Sequence, residues 1–160
     1  MRNQPREWTA MRLGEISVAD DARELAHGID VEALYAHAQA AATRAHAPYS
    51  EFRAGAALIT HDDEIVTGCN VENCSYGLTI CAERSAVARA VAEGHRAFAA
   101  IAVATDTDRA HTVASCGACL QVLAEFDRDE TLLVIFPEGD VLRVMRLSDL
   151  LPVRFRLERH

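Results

Sequence analysis

Apolar residues follow two different spacings along this chain, and each spacing predicts a different kind of element. Apolar positions three or four residues apart predict helices from a cap at Asp30 to a stop at Pro48, over 81–93, and over 116–126. Short apolar runs between polar turns predict strands over 54–60, 65–69, 98–105, 131–137 and 141–147.

Two shorter helices are expected near the ends of the chain. Ser17 and Asp20 have the spacing of a capping box, and Gly28 provides a stop, so a short helix is predicted between them. Ser148 is expected to begin a C-terminal helix that Pro152 restricts.

The order of the predicted elements indicates the fold class. Helices and strands alternate along most of the chain, which is typical of layered α/β domains. We expect a three-layer α/β/α domain with a mixed sheet of about five strands, formed by residues 30–160. Residues 1–29 are interpreted as an N-terminal extension that is partly helical.

Composition and charge exclude several classes of function. The chain has 160 residues and a net charge of −8, and all 16 of its basic residues are arginine. Without lysine it has no phosphate-loop lysine and no Schiff-base lysine, and without a basic run it lacks the charge pattern of a nucleic-acid binder. The apolar runs are too short to cross a bilayer, and the N-terminus has no apolar export core. We therefore expect a cytoplasmic protein without nucleic-acid or membrane partners.

The five cysteines are the candidates for chemistry. An odd number without an export signal argues against a disulfide framework. Cys116 and Cys119 form a Cys-x-x-Cys pair, which is typical of a metal site or of a redox dithiol. Cys81 opens one predicted helix as Cys116 opens another, and helix N-termini favour thiolates. Three converging thiolates would bind Zn²⁺ and leave its fourth position open, as catalytic zinc sites do.

Two charged residues follow Cys81 closely. Glu83 can share a pocket with Cys81 only if that cysteine stands at the very start of its helix. There the carboxylate could take a proton from zinc-bound water and deliver it to a leaving group. Three thiolates leave a zinc site with excess negative charge, so Arg84 is predicted to donate hydrogen bonds to the sulfurs.

Cys-x-Glu followed by Cys-x-x-Cys is the zinc deaminase signature with cysteine as its first ligand. Around these motifs the chain resembles the cytidine deaminase family in its small, homotetrameric form. The resemblance covers roughly residues 30–155 and rests on four segments in the family's order. These segments are APYSEFRAGAAL (47–58), GCNVENCSYGLTICAERSA (68–86), CGACLQVLAEF (116–126) and LLPVRF (150–155).

The resemblance implies hydrolytic deamination of cytidine and 2'-deoxycytidine to the uridine forms, with release of ammonia. A zinc-activated hydroxide would attack C4 of the base, while Glu83 protonates N3 and carries the water proton to the departing amine. The implied partner is a free pyrimidine nucleoside. The implied assembly is a homotetramer with active sites near its subunit interfaces.

The resemblance also implies roles for residues outside the metal site. Phe52 would pack against the nucleoside, and Asn70 and Glu72 would hydrogen-bond the ribose hydroxyls. On an extended segment Asn70 and Glu72 point to the same side, which fits one ligand.

Three further roles are implied around the edge of the site. Tyr76 would help to build the pocket in its own or a neighbouring subunit, and Phe155 would stack on a base at a subunit boundary. Gln121 would support the metal site alongside Arg84.

Three positions depart from the family pattern. Ser115 stands where proline usually precedes the Cys-x-x-Cys pair, Leu120 where arginine usually follows it, and Cys74 where a small residue is common. None of them removes a ligand or the glutamate, so they bear on the substrate more than on the reaction.

Three alternatives therefore stay open. In the first, the substrate is a modified cytidine or a cytosine-containing nucleoside antibiotic. The chain could instead be a zinc-stabilised binding module without turnover, or a thiol redox protein that uses Cys116 and Cys119.

Overall fold

The computed structural model describes residues 17–106 and 113–157, which build a six-stranded sheet with helices on both faces. The strands are β1 Ser17–Val18, β2 Ala54–Thr60, β3 Ile65–Cys69, β4 Phe98–Thr105, β5 Leu133–Glu138 and β6 Val141–Arg146. The helices are α1 Asp20–Leu25, α2 Val31–Ala42, α3 Ala82–Ala92, α4 Gly117–Ala124 and α5 Leu147–Leu150. A 3-10 turn, Tyr76–Leu78, precedes α3.

The sheet is mixed, with the strand order β1-β6-β5-β4-β2-β3. Strand β2 lies antiparallel to both β3 and β4, so β3 and β4 run in the same direction. Strand β4 is parallel to β5, β5 is antiparallel to β6, and β1 adds to β6 in parallel. The predicted α/β class is confirmed, with six strands where about five were expected.

Helices cover both faces of the sheet, and each face has its own apolar core. Helices α1 and α2 bury their apolar residues on one face, where Leu34, Tyr35 and Ala38 are fully covered. Helices α3, α4 and α5 bury theirs on the other face. Among the helices of the described residues, none has the length and apolar character that a membrane crossing requires.

Two glycines let the long helices approach the sheet closely. A Cβ on Gly68 of β3 would lie 2.3 Å from the backbone N of Ala86 in α3. A Cβ on Gly55 of β2 would lie 2.1 Å from the backbone O of Ala38 in α2. Real Cβ atoms essentially never approach backbone this closely, so any larger side chain would push the helix away from the sheet. Gly68 therefore fixes the distance between the sheet and α3.

The capping box predicted at Ser17 is wrong. Ser17 lies in β1, where its N–H donates to the carbonyl of Asp140 at 3.0 Å, and α1 begins after Ala19 without a side-chain cap. The edge of β6 supplies these backbone partners from far along the chain, so local spacing could not indicate them. Ala22 of α1 is buried against the sheet. Residues 1–16 of the predicted extension lie outside the described residues.

Helix α2 also ends earlier than Pro48 requires. Asp30 caps its start as predicted, since Oδ1 accepts from the N–H of Ala33 at 2.9 Å. The helix stops at Ala42, and the hydroxyl of Thr43 donates back to the carbonyl of Ala40 at 2.7 Å. The N–H groups of Arg44 and Ala45 donate to the carbonyls of Ala41 and Ala42, each three residues back, so the last turn tightens and the helix ends before Pro48.

Candidate active site

The N-termini of α3 and α4 meet at one edge of the sheet. Because β3 and β4 run in the same direction, the helices that follow them on the same face begin at the same edge. Cys81 is the N-cap of α3 and Cys116 is the N-cap of α4, both with extended backbone angles. Helix α3 therefore begins directly after Cys81, as is needed for Cys81 and Glu83 to share a pocket.

Three cysteine sulfurs converge at this edge. The Sγ atoms of Cys81, Cys116 and Cys119 all lie within 4.8 Å of one another, and those of Cys116 and Cys119 are 3.5 Å apart. Cys119 is buried, Cys81 is half-buried and Cys116 is exposed. Within residues 17–106 and 113–157, no other group of three His, Cys, Asp or Glu side chains has the geometry to hold a metal ion.

The pKa values of the Cys81 and Cys119 thiols are raised above the usual value, and that of Cys116 is lowered. Burial raises the pKa of Cys119, and the negative charge of Glu83 raises it further. Burial also raises the pKa of Cys81. For Cys116 burial acts upward as well, but hydrogen bonds from the N–H groups of Cys119 and Ala118 hold its pKa below the usual value. The helix N-terminus thus favours a thiolate at the most exposed of the three sulfurs.

Glu83 and Arg84 follow Cys81 in the first turn of α3. Glu83 is buried at 5% exposure, and its charge acts on the thiols of Cys119 and Cys81, so the carboxylate lies beside the cluster. Arg84 donates from Nη2 to the carbonyl of Thr79 at 2.8 Å. Its Nε is buried without a hydrogen-bond partner among the described residues. The predicted contact of Arg84 with the sulfurs stays a prediction.

The residues at this edge fit a bound Zn²⁺ by their chemistry. Three sulfur donors would fill three of the four tetrahedral positions of Zn²⁺ and would leave one for water or substrate. A divalent cation would offset the burial and the negative charge that raise the thiol pKa of Cys81 and Cys119. The unpaired Nε of Arg84 is the kind of donor that can stabilise a thiolate-rich site.

Asn70 and Glu72 hold the segment that precedes β2. Asn70 is buried, its Oδ1 accepts from the N–H of Ala54 at 2.8 Å, and its Nδ2 donates to the carbonyl of Phe52 at 2.9 Å. Glu72 accepts from the N–H groups of Tyr49 at 3.0 Å and Ser50 at 3.3 Å, and from the Ser50 hydroxyl. The two side chains thus connect to the segment carrying Phe52, while their predicted ribose contacts stay predictions.

The predicted aromatic groups are exposed on this chain. Phe52 is 38% exposed, and Tyr76 is 78% exposed on the 3-10 turn. The rings of Tyr76 and Tyr49 meet edge to face, with centroids 6.3 Å apart at 63°. Aromatic side chains so exposed have room to contact a ligand or another subunit.

Gln121 contacts the C-terminal segment. Its Nε2 donates to the carbonyl of Phe155 at 2.9 Å, and its Oε1 accepts from the N–H of Phe155 at 3.2 Å. Arg154, which precedes Phe155, forms a buried ion pair with Asp127, with Nη1 2.7 Å from Oδ2. The ring of Phe155 is 70% exposed. Gln121 therefore places Phe155 along α4, and its predicted support of the metal site stays a prediction.

Two of these residues were not identified from the sequence. Ser50 was read only as part of a family segment, although a serine two residues before Phe52 has the spacing of a side-chain-closed turn. Asp127 was not singled out, because nothing local indicates that its partner is Arg154, 27 residues further on.

The chain matches known deaminases along most of its length. Residues 28–135 match the family model described as the cytidine and deoxycytidylate deaminase zinc-binding region. A cytidine deaminase of Halalkalibacterium halodurans is 44% identical over 131 residues, which cover 81% of this chain and 97% of that protein. The crystal structure of cytidine deaminase from Burkholderia pseudomallei superposes with a TM-score of 0.72 at 48% identity, covering 79% of this chain and all of that one.

The similarity to a blasticidin-S deaminase is lower. The blasticidin-S deaminase of Bacillus cereus is 27% identical over 107 residues, which cover 63% of this chain and 75% of that protein. The family model is a zinc-binding region, and the three sulfurs form a cluster that can hold a metal, so the predicted Zn²⁺ cofactor is confirmed. The predicted relationship is also confirmed, and the chain belongs to the cytidine and deoxycytidylate deaminase family.

Proposed function

We propose that this chain catalyses the hydrolytic deamination of cytidine and 2'-deoxycytidine to uridine and 2'-deoxyuridine, with release of ammonia. The observation that carries the proposal is the convergence of three cysteine sulfurs within 4.8 Å beside the buried carboxylate of Glu83. The similarity to cytidine deaminases over about four-fifths of the chain supports the same substrate class.

Cys81, Cys116 and Cys119 would hold the zinc ion through their sulfurs. When bound, Zn²⁺ supplies a Lewis acid that brings water toward ionisation near neutral pH. Arg84 would stabilise the thiolates through its buried Nε, while Nη2 keeps its bond to Thr79.

Glu83 would be the proton carrier. Its carboxylate would take one proton from the attacking water and give it to N3 of the cytosine ring, which makes C4 more electrophilic, and would then carry the second water proton to the departing amine. The water oxygen bonds to C4 first and the C4–N bond to the protonated amine then breaks, so cytidine and water give uridine and ammonia. Burial of Glu83 beside the sulfurs keeps this proton path away from bulk solvent.

Asn70, Glu72 and Phe52 would bind the nucleoside. Glu72 keeps a hydrogen-bond acceptor position free for a ribose hydroxyl, because a carboxylate has about four acceptor positions and three are used. Asn70 likewise has one further donor and one further acceptor position. The exposed ring of Phe52 stands on the segment that both side chains hold.

Assembly as a homotetramer is part of the proposal. The exposed aromatic rings of Tyr76 and Phe155 would be covered at subunit interfaces and would complete the base pocket there, with Gln121 fixing Phe155. Residues 30–160 would form the catalytic domain, with residues 1–29 as an extension whose β1 and α1 dock on the sheet. A cytoplasmic location fits this activity. The mass of the zinc-loaded protein by light scattering tests the assembly.

A nucleoside panel tests the substrate. Ammonia release is measured from cytidine, 2'-deoxycytidine, base-modified cytidines and blasticidin S, at equal enzyme concentration. We expect the highest kcat/KM for cytidine and 2'-deoxycytidine. A far higher kcat/KM for a modified cytidine or for blasticidin S would instead support the altered-substrate alternative raised by Leu120 and Cys74.

A further inference from the structure

Ser50 lies at the centre of the hydrogen bonds that join Glu72 to Phe52. Its hydroxyl donates to Oε1 of Glu72 and accepts from the N–H of Phe52 at 3.0 Å. Its own N–H donates to the other carboxylate oxygen of Glu72 at 3.3 Å. A hydroxyl can donate once and accept at the same time, so both bonds are compatible.

The carboxylate of Glu72 is held from two directions. Oε1 accepts from the Ser50 hydroxyl, and Oε2 accepts from the N–H groups of Tyr49 and Ser50. These bonds fix the plane of the carboxylate, which would otherwise rotate freely at this half-exposed position. The Ser50 hydroxyl, followed by the N–H of Tyr49, also holds the pKa of Glu72 below its usual value. The charge of His46 acts in the same direction.

The backbone between Ser50 and Phe52 adopts a conformation that costs free energy. Glu51, between Ser50 and Phe52, has a φ of 59°, a left-handed conformation that residues with a Cβ rarely adopt. The hydroxyl of Ser50 bridges this residue by accepting from Phe52, and the amide of Asn70 binds the carbonyl of Phe52. The backbone of Phe52 is therefore held at both its N–H and its carbonyl.

We propose that Ser50 is a positioning residue that sets the Glu72 carboxylate for a ribose hydroxyl of the substrate. The proposal rests on the proposed function for the identity of that ligand. Ser50 itself contacts no reacting atom in this scheme, because its hydroxyl is already used by Glu72 and Phe52. It acts through Glu72, whose remaining acceptor position would take the ribose hydroxyl.

The test compares two nucleosides in zinc-loaded enzyme. Affinities are measured as KM for cytidine and as the competitive Ki of 2',3'-dideoxycytidine, which lacks both ribose hydroxyls. In Ser50→Ala we expect KM to rise about tenfold, the factor for an interaction of about 1.4 kcal/mol. We expect kcat to change less than about twofold, because ribose contacts are equal in the ground and transition states. The Ki of 2',3'-dideoxycytidine should stay within about twofold.

Two variants serve as comparisons. Ser50→Thr keeps the hydroxyl, and because Ser50 is exposed the extra methyl group has room, so KM should stay within about threefold of wild type. Thr43→Ala removes an exposed hydroxyl that bonds a backbone carbonyl outside the site, and it should leave both affinities unchanged. An equal loss of affinity for both nucleosides in Ser50→Ala would overturn the proposal, as would equal losses in Ser50→Ala and Ser50→Thr.

A second readout separates this proposal from the proposed function. The side-chain carboxyl of Glu72 is titrated by NMR in ¹³C-glutamate-labelled enzyme, wild type and Ser50→Ala. Because the hydroxyl stabilises the charged form, its removal should raise the pKa of Glu72. An unchanged pKa would show that Ser50 does not hold the carboxylate, even in a protein that deaminates no cytidine. Absent cytidine turnover in wild type, by contrast, would refute the proposed function alone.

Discussion

The contact between Gly68 and α3 offers a test of how the fold sets the geometry of the site. Gly68→Ala would place a Cβ 2.3 Å from the N of Ala86 and 2.7 Å from the O of Ala82, both backbone atoms that cannot rotate away. Ordinary van der Waals contact begins at 3.4 Å. Helix α3 must therefore retreat from the sheet by about 1 Å, since well-packed interiors have no free space to absorb the methyl group.

That displacement would act on the site directly, because Cys81 caps α3 and Glu83 lies in its first turn. Overpacking of this kind costs about 3 kcal/mol of unfolding free energy. A misplacement of about 1 Å in a catalytic group can lower kcat about a hundredfold. We therefore expect Gly68→Ala to lose stability, kcat and zinc affinity together.

Gly55→Ala is the matched comparison. Its Cβ would meet the O of Ala38 at 2.1 Å and the N of Ala42 at 2.3 Å, so it pushes α2 off the opposite face. Urea unfolding, kcat and zinc content are measured for both variants. Both should lose about 3 kcal/mol of stability, but Gly55→Ala should keep its zinc. Equal zinc loss in the two variants, or an unperturbed Gly68→Ala, would refute the reasoning.

The remaining predictions concern the buried ion pair, the cysteines and a surface pair. Asp127→Asn leaves Arg154 buried without its counter-charge and should lower the free energy of unfolding in urea by about 3–5 kcal/mol. The double variant Asp127→Asn with Arg154→Met should recover much of that loss. A loss below about 1 kcal/mol in Asp127→Asn alone would contradict the prediction. Cys116→Ser should purify with little zinc, while the exposed Cys74→Ser should keep a full complement by metal analysis, and equal zinc in both would argue against the ligand assignment. Arg89→Ala, which breaks an exposed pair at 2.8 Å, should change stability by less than about 0.5 kcal/mol.

The sequence was most informative where structure is locally determined. Strands 54–60, 65–69 and 98–105 were predicted with the bounds that the structure shows, because apolar runs between polar turns define them. The start of α3 at Ala82 followed from the need for Cys81 and Glu83 to share a pocket. The family followed from the resemblance of four segments to cytidine deaminases, and the zinc cofactor from the cysteine motifs within them.

The sequence was least informative where partners lie far apart in the chain. Strand β1 pairs with β6 across more than a hundred residues, so Ser17 looked like a helix cap. The pairing of Asp127 with Arg154 and of Gln121 with Phe155 likewise depends on how the C-terminal segment returns along α4. Hydrogen bonds of this kind depend on tertiary structure, so they cannot be predicted from the local periodicity of the sequence.

The central claim is that a zinc site held by cysteines works with Glu83 as its proton carrier. The most direct measurement is zinc content together with ammonia release from cytidine, for wild type and Glu83→Gln, in freshly purified protein. We expect both proteins to hold one zinc ion per chain, and Glu83→Gln to release ammonia more slowly by about two to four orders of magnitude. Zinc-free wild type with a reversible Cys116–Cys119 disulfide would indicate a redox protein, and equal ammonia release, or none from either protein, would contradict the role of Glu83.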